Sequence, residues 1–226
     1  EGEGKLSLPT RESLAAEAFA YTARYDTAIS RWFGEKQGDF PEVMLSAYDK
    51  VTDLSYGENP HQRAAYYSQV GARMHVLSQV RQLGGKELSF NNVLDINSGR
   101  LLVQEFEVPA CAIIKHNNPC GVAVGSSALE AYRSAYACDP QSAFGGVICF
   151  NRPVEAELAQ TLTGQFVEVV LAPAFSDDAV DVLASKPNLR ILEDGERRRV
   201  NISEWDVKRV MGGLLVQDRD LDLEDR

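Results

Sequence analysis

The chain is poor in the residues that announce a metal centre or a disulfide framework. Among its 226 residues there are three histidines, His61, His75 and His116, and they show no ligand spacing. The four cysteines, Cys111, Cys120, Cys138 and Cys149, form no C-x-x-C pair. No H-x-E occurs, and position 123, after Pro119-Cys120, is alanine, so the H-x-E and P-C-x-x-C signature of zinc deaminases is broken. Too few ligands remain for catalytic zinc. Cysteines scattered through apolar or strand-like surroundings fit reduced, mostly buried thiols in a cytosolic protein better than disulfides. Basic charge is also short. Lys and Arg number 23 against 33 Asp and Glu, a net charge of -10, which argues against a nucleic-acid-binding face but leaves a local anion pocket open. No apolar run is long enough to span a bilayer, and the polar, acidic stretch from Glu1 to Glu12 is no secretory leader. P-loop, G-x-S-x-G and dinucleotide fingerprints are all missing.

What is present is hydrophobic periodicity, over a length that suits one large domain or two small ones. Leu14, Ala18, Tyr21, Tyr25, Ala28, Ile29 and Trp32 recur at helical spacing, which predicts one helix or a bent pair over Leu8 to Phe33, with Thr10 as N-cap. Gly34 to Gly38 and then Pro41 end the pattern. A boundary is placed near residue 50, giving segments 1–50 and 51–226. Beyond it, strands are predicted at Ala64–Val70, Ala110–Ile114, Gly146–Phe150, Val167–Leu171, Leu189–Leu192 and Leu214–Val216. Helices are predicted at Asn91–Phe106, with Val93, Leu94, Leu101, Leu102 and Phe106 buried, and at Ser127–Cys138, Pro153–Leu162 and Ser176–Ser185. Ser127 and Glu130 make an S-x-x-E capping box, Asp139-Pro140 stops that helix, Pro153 opens the next, and Ser176, Asp177 and Asp178 suit a positive helix start. Alternating strands and helices imply a layered α/β fold with at least partly parallel strands.

Five polar clusters punctuate this pattern. KHNNPCG, Lys115 to Gly121, follows a buried strand, and ligands of open α/β sheets gather beyond the carboxyl ends of strands. Pro119 pushes Asn118 toward an extended conformation and Gly121 permits a close turn. Lys115 and His116 would face opposite ways on a regular strand, so they converge only if the strand ends at one of them. The blander alternative is a solvated lysine and a loop histidine. SYGENPHQ, Ser55 to Gln62, is either a site or a turn satisfying its own backbone. DPQSAFGG, Asp139 to Gly146, allows close approach of a ligand, or is a tight connection. In LSFNN, Leu88 to Asn92, an asparagine could simply cap a helix. Glu168, within VEVVLAP, is solvated on an edge strand or needs a partner on a central one. Cys120, four residues after His116, could pair with it as a nucleophile or be a structural thiol.

SYGENPHQ, LSFNNVLD, IIKHNNPCG, DPQSAFGG and FVEVVLAP occur in this order between Ser55 and Pro173. Together they resemble the bifunctional AICAR transformylase/IMP cyclohydrolase family of purine biosynthesis. The leading LAAEAFAYTARYDTAISRWF looks like the end of the cyclohydrolase domain. The resemblance implies that 1–50 is a helical tail of that domain with a linker. It implies that 51–226 is the first half of the transformylase domain, a cytidine-deaminase-like α/β/α half without zinc. It also implies formyl transfer from 10-formyltetrahydrofolate, as co-substrate, to aminoimidazole carboxamide ribonucleotide (AICAR), followed by closure to IMP. A cytoplasmic homodimer with shared active sites, potassium in the full-length protein, and no membrane or nucleic-acid partner are further implications.

By this resemblance Lys115 and His116 match the catalytic Lys-His pair, and Tyr56, Asn92, Phe144, Gly145 and Glu168 match positions around AICAR. Glu168 stands where some relatives have Asp. Ser55 stands where the family usually has a phosphate-holding Arg, and a hydroxyl supplies no charge. Most of the cyclohydrolase domain and the second transformylase half, with its folate and potassium contacts, would lie outside this chain, so the chain alone is expected to have neither activity. Two other readings stay open: a zinc-dependent deaminase or hydrolase on the same fold, and a non-catalytic nucleotide-binding half.

Overall fold

The computed structural model describes residues 4–37, 40–71, 80–195 and 205–220. His75 and the acidic run at 221–226 lie outside them. The chain forms two compact units, Glu1–Ser78 with Glu87–Val93, and Gln79–Lys86 with Leu94–Arg226.

In the first unit, helix α1 spans Leu8–Gln37 and so runs through Gly34, four residues past its predicted end at Phe33. Ser7, not Thr10, caps it: the Thr10 amide donates to Ser7 Oγ at 3.2 Å. Strand β1, Tyr48–Leu54, pairs antiparallel with β2, Ala64–Gln69. β1 carries Asp49, Lys50 and Asp53 among its seven residues, so it lacks the alternation that marks a half-buried strand.

The second unit is built on a six-stranded mixed sheet. Its strands are β3 (Val80–Gly84), β4 (Ala110–Lys115), β5 (Asn118–Val124), β6 (Val147–Phe150), β7 (Val169–Ala172) and β8 (Arg190–Asp194), in the order β3-β8-β7-β6-β4-β5. β6, β7 and β8 run parallel, and the other pairings are antiparallel. The helices are α2 (Phe90–Gln104, whose first turn belongs to the first unit), α3 (Ala128–Cys138), the short α4 (Pro140–Ala143), α5 (Ala156–Thr163) and α6 (Asp177–Ala184). A separate hairpin joins β9, Asp206–Val210, to β10, Gly213–Gln217. Among the described residues no helix is long and apolar enough to cross a membrane.

Alternation along the strands sorts the core into two faces. Cys111, Ile113, Ile148, Phe150, Val170, Ala172 and Ile191 pack with α3, α5 and α6 through Ala131, Tyr132, Ala135, Leu158, Leu162, Ala179 and Leu183. The intervening residues, Ala112, Ile114, Val147, Cys149, Val169, Leu171 and Leu192, are equally buried on the other face. There α2 lies close: a Cβ on Gly99 would come within 2.5 Å of Cys149 Sγ and 3.0 Å of Ile114 Cγ1. The result is an α/β/α layering. Each fully buried Ile, Leu or Val in it contributes about 1.5–3 kcal/mol by leaving water.

Several predicted boundaries move. In α2 the buried stripe is Asn92, Asp95, Ile96, Gly99, Arg100 and Val103, whereas Leu94 is exposed. The predicted Val93, Leu101, Leu102 and Phe106 are half-buried, and polar residues share the inward face because they have partners there, so a count of apolar positions missed part of the stripe. α5 starts at Ala156, not Pro153, because Val154 bridges in parallel to Phe175 and keeps the chain extended. The capping predictions for α3 and α6 hold: Ser127 Oγ accepts the Glu130 amide at 3.2 Å, and Ser176 Oγ accepts the Ala179 amide at 3.3 Å. The Glu130 carboxylate reaches Ser126 rather than the capping residue itself, and the Ser126 hydroxyl and amide hold it below the usual carboxylate range.

Candidate active site

KHNNPCG is not a loop beyond a strand. Lys115 ends β4, Asn118 begins β5, and the two are register partners, so His116 and Asn117 are the two central residues of a hairpin turn. Their φ angles are 53° and 63°, and positive φ at both positions is the hallmark of the type I′ turn. Most such turns use glycine. A non-glycine residue held in this region costs on the order of 1–3 kcal/mol and clusters at functional sites. Pro119 does impose extended backbone on Asn118, as predicted. Gly121 has a different role from the one expected. It lies in β5 under α3, where a Cβ would fall 2.0 Å from the Ala135 carbonyl oxygen.

Because the strand ends at Lys115, the condition for Lys115 and His116 to serve one site is met. Lys115 Nζ donates to the Phe144 carbonyl oxygen at 2.7 Å, and His116 is exposed. Phe144 follows α4, which Asp139 caps through the Ser142 amide at 3.0 Å and the Ser142 hydroxyl at 2.6 Å. Gly145 then takes φ 72°, open to glycine without strain, and its amide donates to the Phe166 carbonyl at 2.8 Å. The rings of Phe144 and Phe166 lie 5.3 Å apart, and both are exposed.

Glu168 lies at the bend before β7 instead of inside it. Its amide donates to the Gly146 carbonyl at 3.1 Å and its carbonyl accepts from the Arg190 amide at 3.0 Å. β7 is a central strand, and the partner that position demands is Arg190, with Nη1 at 3.9 Å from Glu168 Oε2. The register places Lys115, Gly146 and Glu168 one step beyond the row Ile114, Val147, Val169. These residues therefore lie at the carboxyl end of β4, yet at the amino ends of the parallel strands β6 to β8. The antiparallel setting of β4 makes those two ends coincide.

Two residues of this site were not singled out in the sequence. Asp95 Oδ1 accepts the Asn117 amide at 2.6 Å, and Ser98 Oγ donates to Asn117 Oδ1 at 2.5 Å. Burial pushes the Asp95 carboxyl above its ordinary range. The hydrogen bond from the Asn117 amide and the nearness of the His116 side chain oppose that rise, and the charge of Glu168 adds to it. A carboxylate on the inward stripe of α2 was the available signal.

Tyr56 and Asn92 belong to the first unit. The Tyr56 carbonyl accepts the Phe90 amide at 3.0 Å. Ser89 caps α2, with its hydroxyl accepting the Asn92 amide at 3.2 Å while Asn92 Oδ1 accepts the Ser89 amide at 3.0 Å. The capping residue is therefore Ser89 and not the asparagine expected in LSFNN, with Asn92 completing the reciprocal box from the third helical position. Asn91 Nδ2 donates to the Glu58 carbonyl at 3.1 Å, and Ser55 Oγ to the Leu88 carbonyl at 3.2 Å. SYGENPHQ closes on itself through Gly57 amide to Gln62 carbonyl at 2.8 Å and Asn59 amide to Gln62 Oε1 at 2.7 Å.

All four cysteines are free; Cys111 and Cys149 are buried, and Cys138 is exposed, against the expectation of burial. Burial pushes the Cys111, Cys120 and Cys149 thiols up, and Cys120 Sγ lies 3.4 Å from the Ile113 carbonyl, which suits a structural thiol. Among the described residues no three of His, Cys, Asp or Glu gather as a metal site.

A model of the AICARFT/IMPCHase bienzyme family matches residues 1–226. The chain belongs to that family. The resemblance carried by five ordered motifs and the family match agree over the same stretch, which sets the chain among the transformylase/cyclohydrolase proteins of purine biosynthesis. Within the AICARFT/IMPCHase frame, Lys115, His116, Phe144, Gly145 and Glu168 share the second unit and lie at one end of the strands β4, β6 and β7.

Proposed function

We propose that the chain supplies the Lys-His half of an AICAR transformylase site, with residues 51–226 as the first transformylase half and 1–50 as the tail of the cyclohydrolase domain. The main support is the hairpin turn that presents His116 directly after Lys115, with the Lys115 ammonium fixed on the Phe144 carbonyl beside Gly145. Substrates on this reading are AICAR and 10-formyltetrahydrofolate in the cytoplasm. Tyr56, Asn92, Phe144, Gly145 and Glu168 surround AICAR. The complete protein works as a homodimer with shared sites, and its cyclohydrolase domain closes the product to IMP.

The chemistry asks for both residues. The AICAR amine is a weak nucleophile, because its lone pair is delocalised into the ring and carboxamide. It attacks the formyl carbon, the carbonyl electron pair moves to oxygen, and the Lys115 ammonium stabilises that oxyanion. The His116 imidazole takes the amine proton. The oxyanion then collapses, the bond from the formyl carbon to folate N10 breaks, and N10 receives the proton. The products are formyl-AICAR and tetrahydrofolate. A phosphate ester on the substrate finds no charge at Ser55, so another cation must meet it.

In the complete protein that carries this sequence, His116→Ala should lower kcat for formyl transfer by about a hundred- to ten-thousand-fold, the usual worth of a proton-transfer group. AICAR affinity by equilibrium titration should change far less. Wild-type turnover in that variant would remove His116 from the mechanism, and AICAR binding with no transfer by the unaltered protein would favour a non-catalytic nucleotide-binding role.

A further inference from the structure

The turn that carries His116 is conformationally unfavourable, and two side chains of a neighbouring helix hold it. His116 and Asn117 both have positive φ, 53° and 63°, with no glycine between Lys115 and Asn118. Asn117 is gripped twice from α2: its amide donates to Asp95 Oδ1 at 2.6 Å, and its side-chain oxygen accepts from Ser98 Oγ at 2.5 Å. Asp95 and Ser98 are three residues apart, one above the other on a helix face. α2 is itself fixed against the sheet where Gly99 meets Cys149 and Ile114, the residue next to Lys115. The Asn118 side chain closes the turn from the other side, donating to the His116 carbonyl at 3.0 Å.

We propose that Asp95 and Ser98 are positioning residues that clamp the β4–β5 turn in its left-handed form and thereby set the place of the His116 imidazole. The proposal rests on the reading of His116 as the proton acceptor. A carboxylate is not required for the grip as such, because an amide oxygen at the same position also accepts a backbone N–H. What Asp95 supplies is an acceptor that is buried and aimed at the Asn117 amide of the left-handed turn.

The test is formyl transfer by the complete protein, with kcat and AICAR KM measured separately. Asp95→Ala should lower kcat by about 10- to 100-fold, the scale of a misplaced catalytic group, with KM altered less than about threefold. Asp95→Asn keeps an acceptor and should recover to within about fivefold of the unaltered protein. Ser98→Ala should give a smaller loss, about three- to tenfold, because one of two grips remains. The decisive variant is Asp95→Ala with Asn117→Gly. Glycine takes positive φ without help, so the second change should restore much of the lost kcat, which a general loss of stability would not allow.

If Asp95→Ala folds poorly, Ser98→Ala and Asp95→Asn still decide. Wild-type kcat in Ser98→Ala, or an Asp95→Asn as impaired as Asp95→Ala, overturns the clamp. So does a glycine at 117 that rescues nothing. If His116→Ala abolishes transfer while Asp95→Ala retains wild-type kcat, the clamp is wrong and the reading of His116 stands. If His116→Ala retains wild-type kcat, that reading fails and the clamp with it.

Discussion

Asp139 ends α3 and caps α4, and this double position makes its ionisation matter. The Ser142 hydroxyl and then the Ser142 amide hold its carboxyl below the usual range. A depressed folded value means that the cap contributes fully above the ordinary carboxylate value of about 3.9 and is lost as pH falls through the folded value. Urea midpoints of the unaltered chain and of Asp139→Asn should therefore differ near neutrality, and the gap should close between about pH 5 and pH 1. A gap constant over that range would mean that the ionised carboxylate is not the source of the cap. At this scale the sequence was most legible where a residue acts on its own neighbours. Ser127, Ser176 and Pro119 do what their types predict. Asp95 and Ser98 were not legible, because their partner Asn117 is far along the chain and only folding brings them together.

At the scale of elements, the buried strands of the second unit announced themselves as short apolar runs, and β4, β6, β7 and β8 fall within two residues of expectation at either end. β1, β3, β5 and β9 were not anticipated, for a shared reason. β1 and β9 are mostly exposed, β3 carries exposed polar residues, and β5 begins with exposed Asn118 and Pro119 in a motif that reads as a loop. An exposed strand needs no apolar face, so it leaves no periodic trace. Gly121 illustrates the cost of that omission. Read as a turn residue it would matter only to the turn's own backbone, whereas in β5 it lies where α3 packs closely on the sheet. Gly121→Ala must push α3 away from a backbone carbonyl 2.0 Å from the new Cβ, or bend β5. The expected loss is about 1–3 kcal/mol, as for overpacked cores, read as a lower urea midpoint with an unchanged slope. An unchanged midpoint would show that α3 moves freely over β5.

At the scale of the whole chain, five short motifs in one order identified the family, and each motif lies at a turn, at a strand end or, for LSFNNVLD, at a helix start, while the apolar runs between them build the core. What those motifs could not disclose is the tie across the sheet. Arg100 on α2 donates from Nε to Asp194 Oδ2 at 2.6 Å and from its terminal nitrogen to Oδ1 at 3.3 Å. Asp194 ends β8, 94 residues away, and the two side chains are 6% and 8% exposed. A planar guanidinium meeting a carboxylate in two places is the strong form of this contact, but desolvating two charges offsets most of the gain. The pair should therefore behave asymmetrically. Asp194→Ala leaves a cation buried without its carboxylate and should cost about 3–5 kcal/mol in urea unfolding. Replacing both partners, as Arg100→Met with Asp194→Leu, should recover most of that loss, because no buried charge remains. A single-variant loss below about 1 kcal/mol would mean that water reaches the pair and that the tie is no stronger than a surface ion pair. A double variant no better than Asp194→Ala would mean that the pair fixes α2 on the sheet by its geometry, a role that apolar packing of similar volume does not replace.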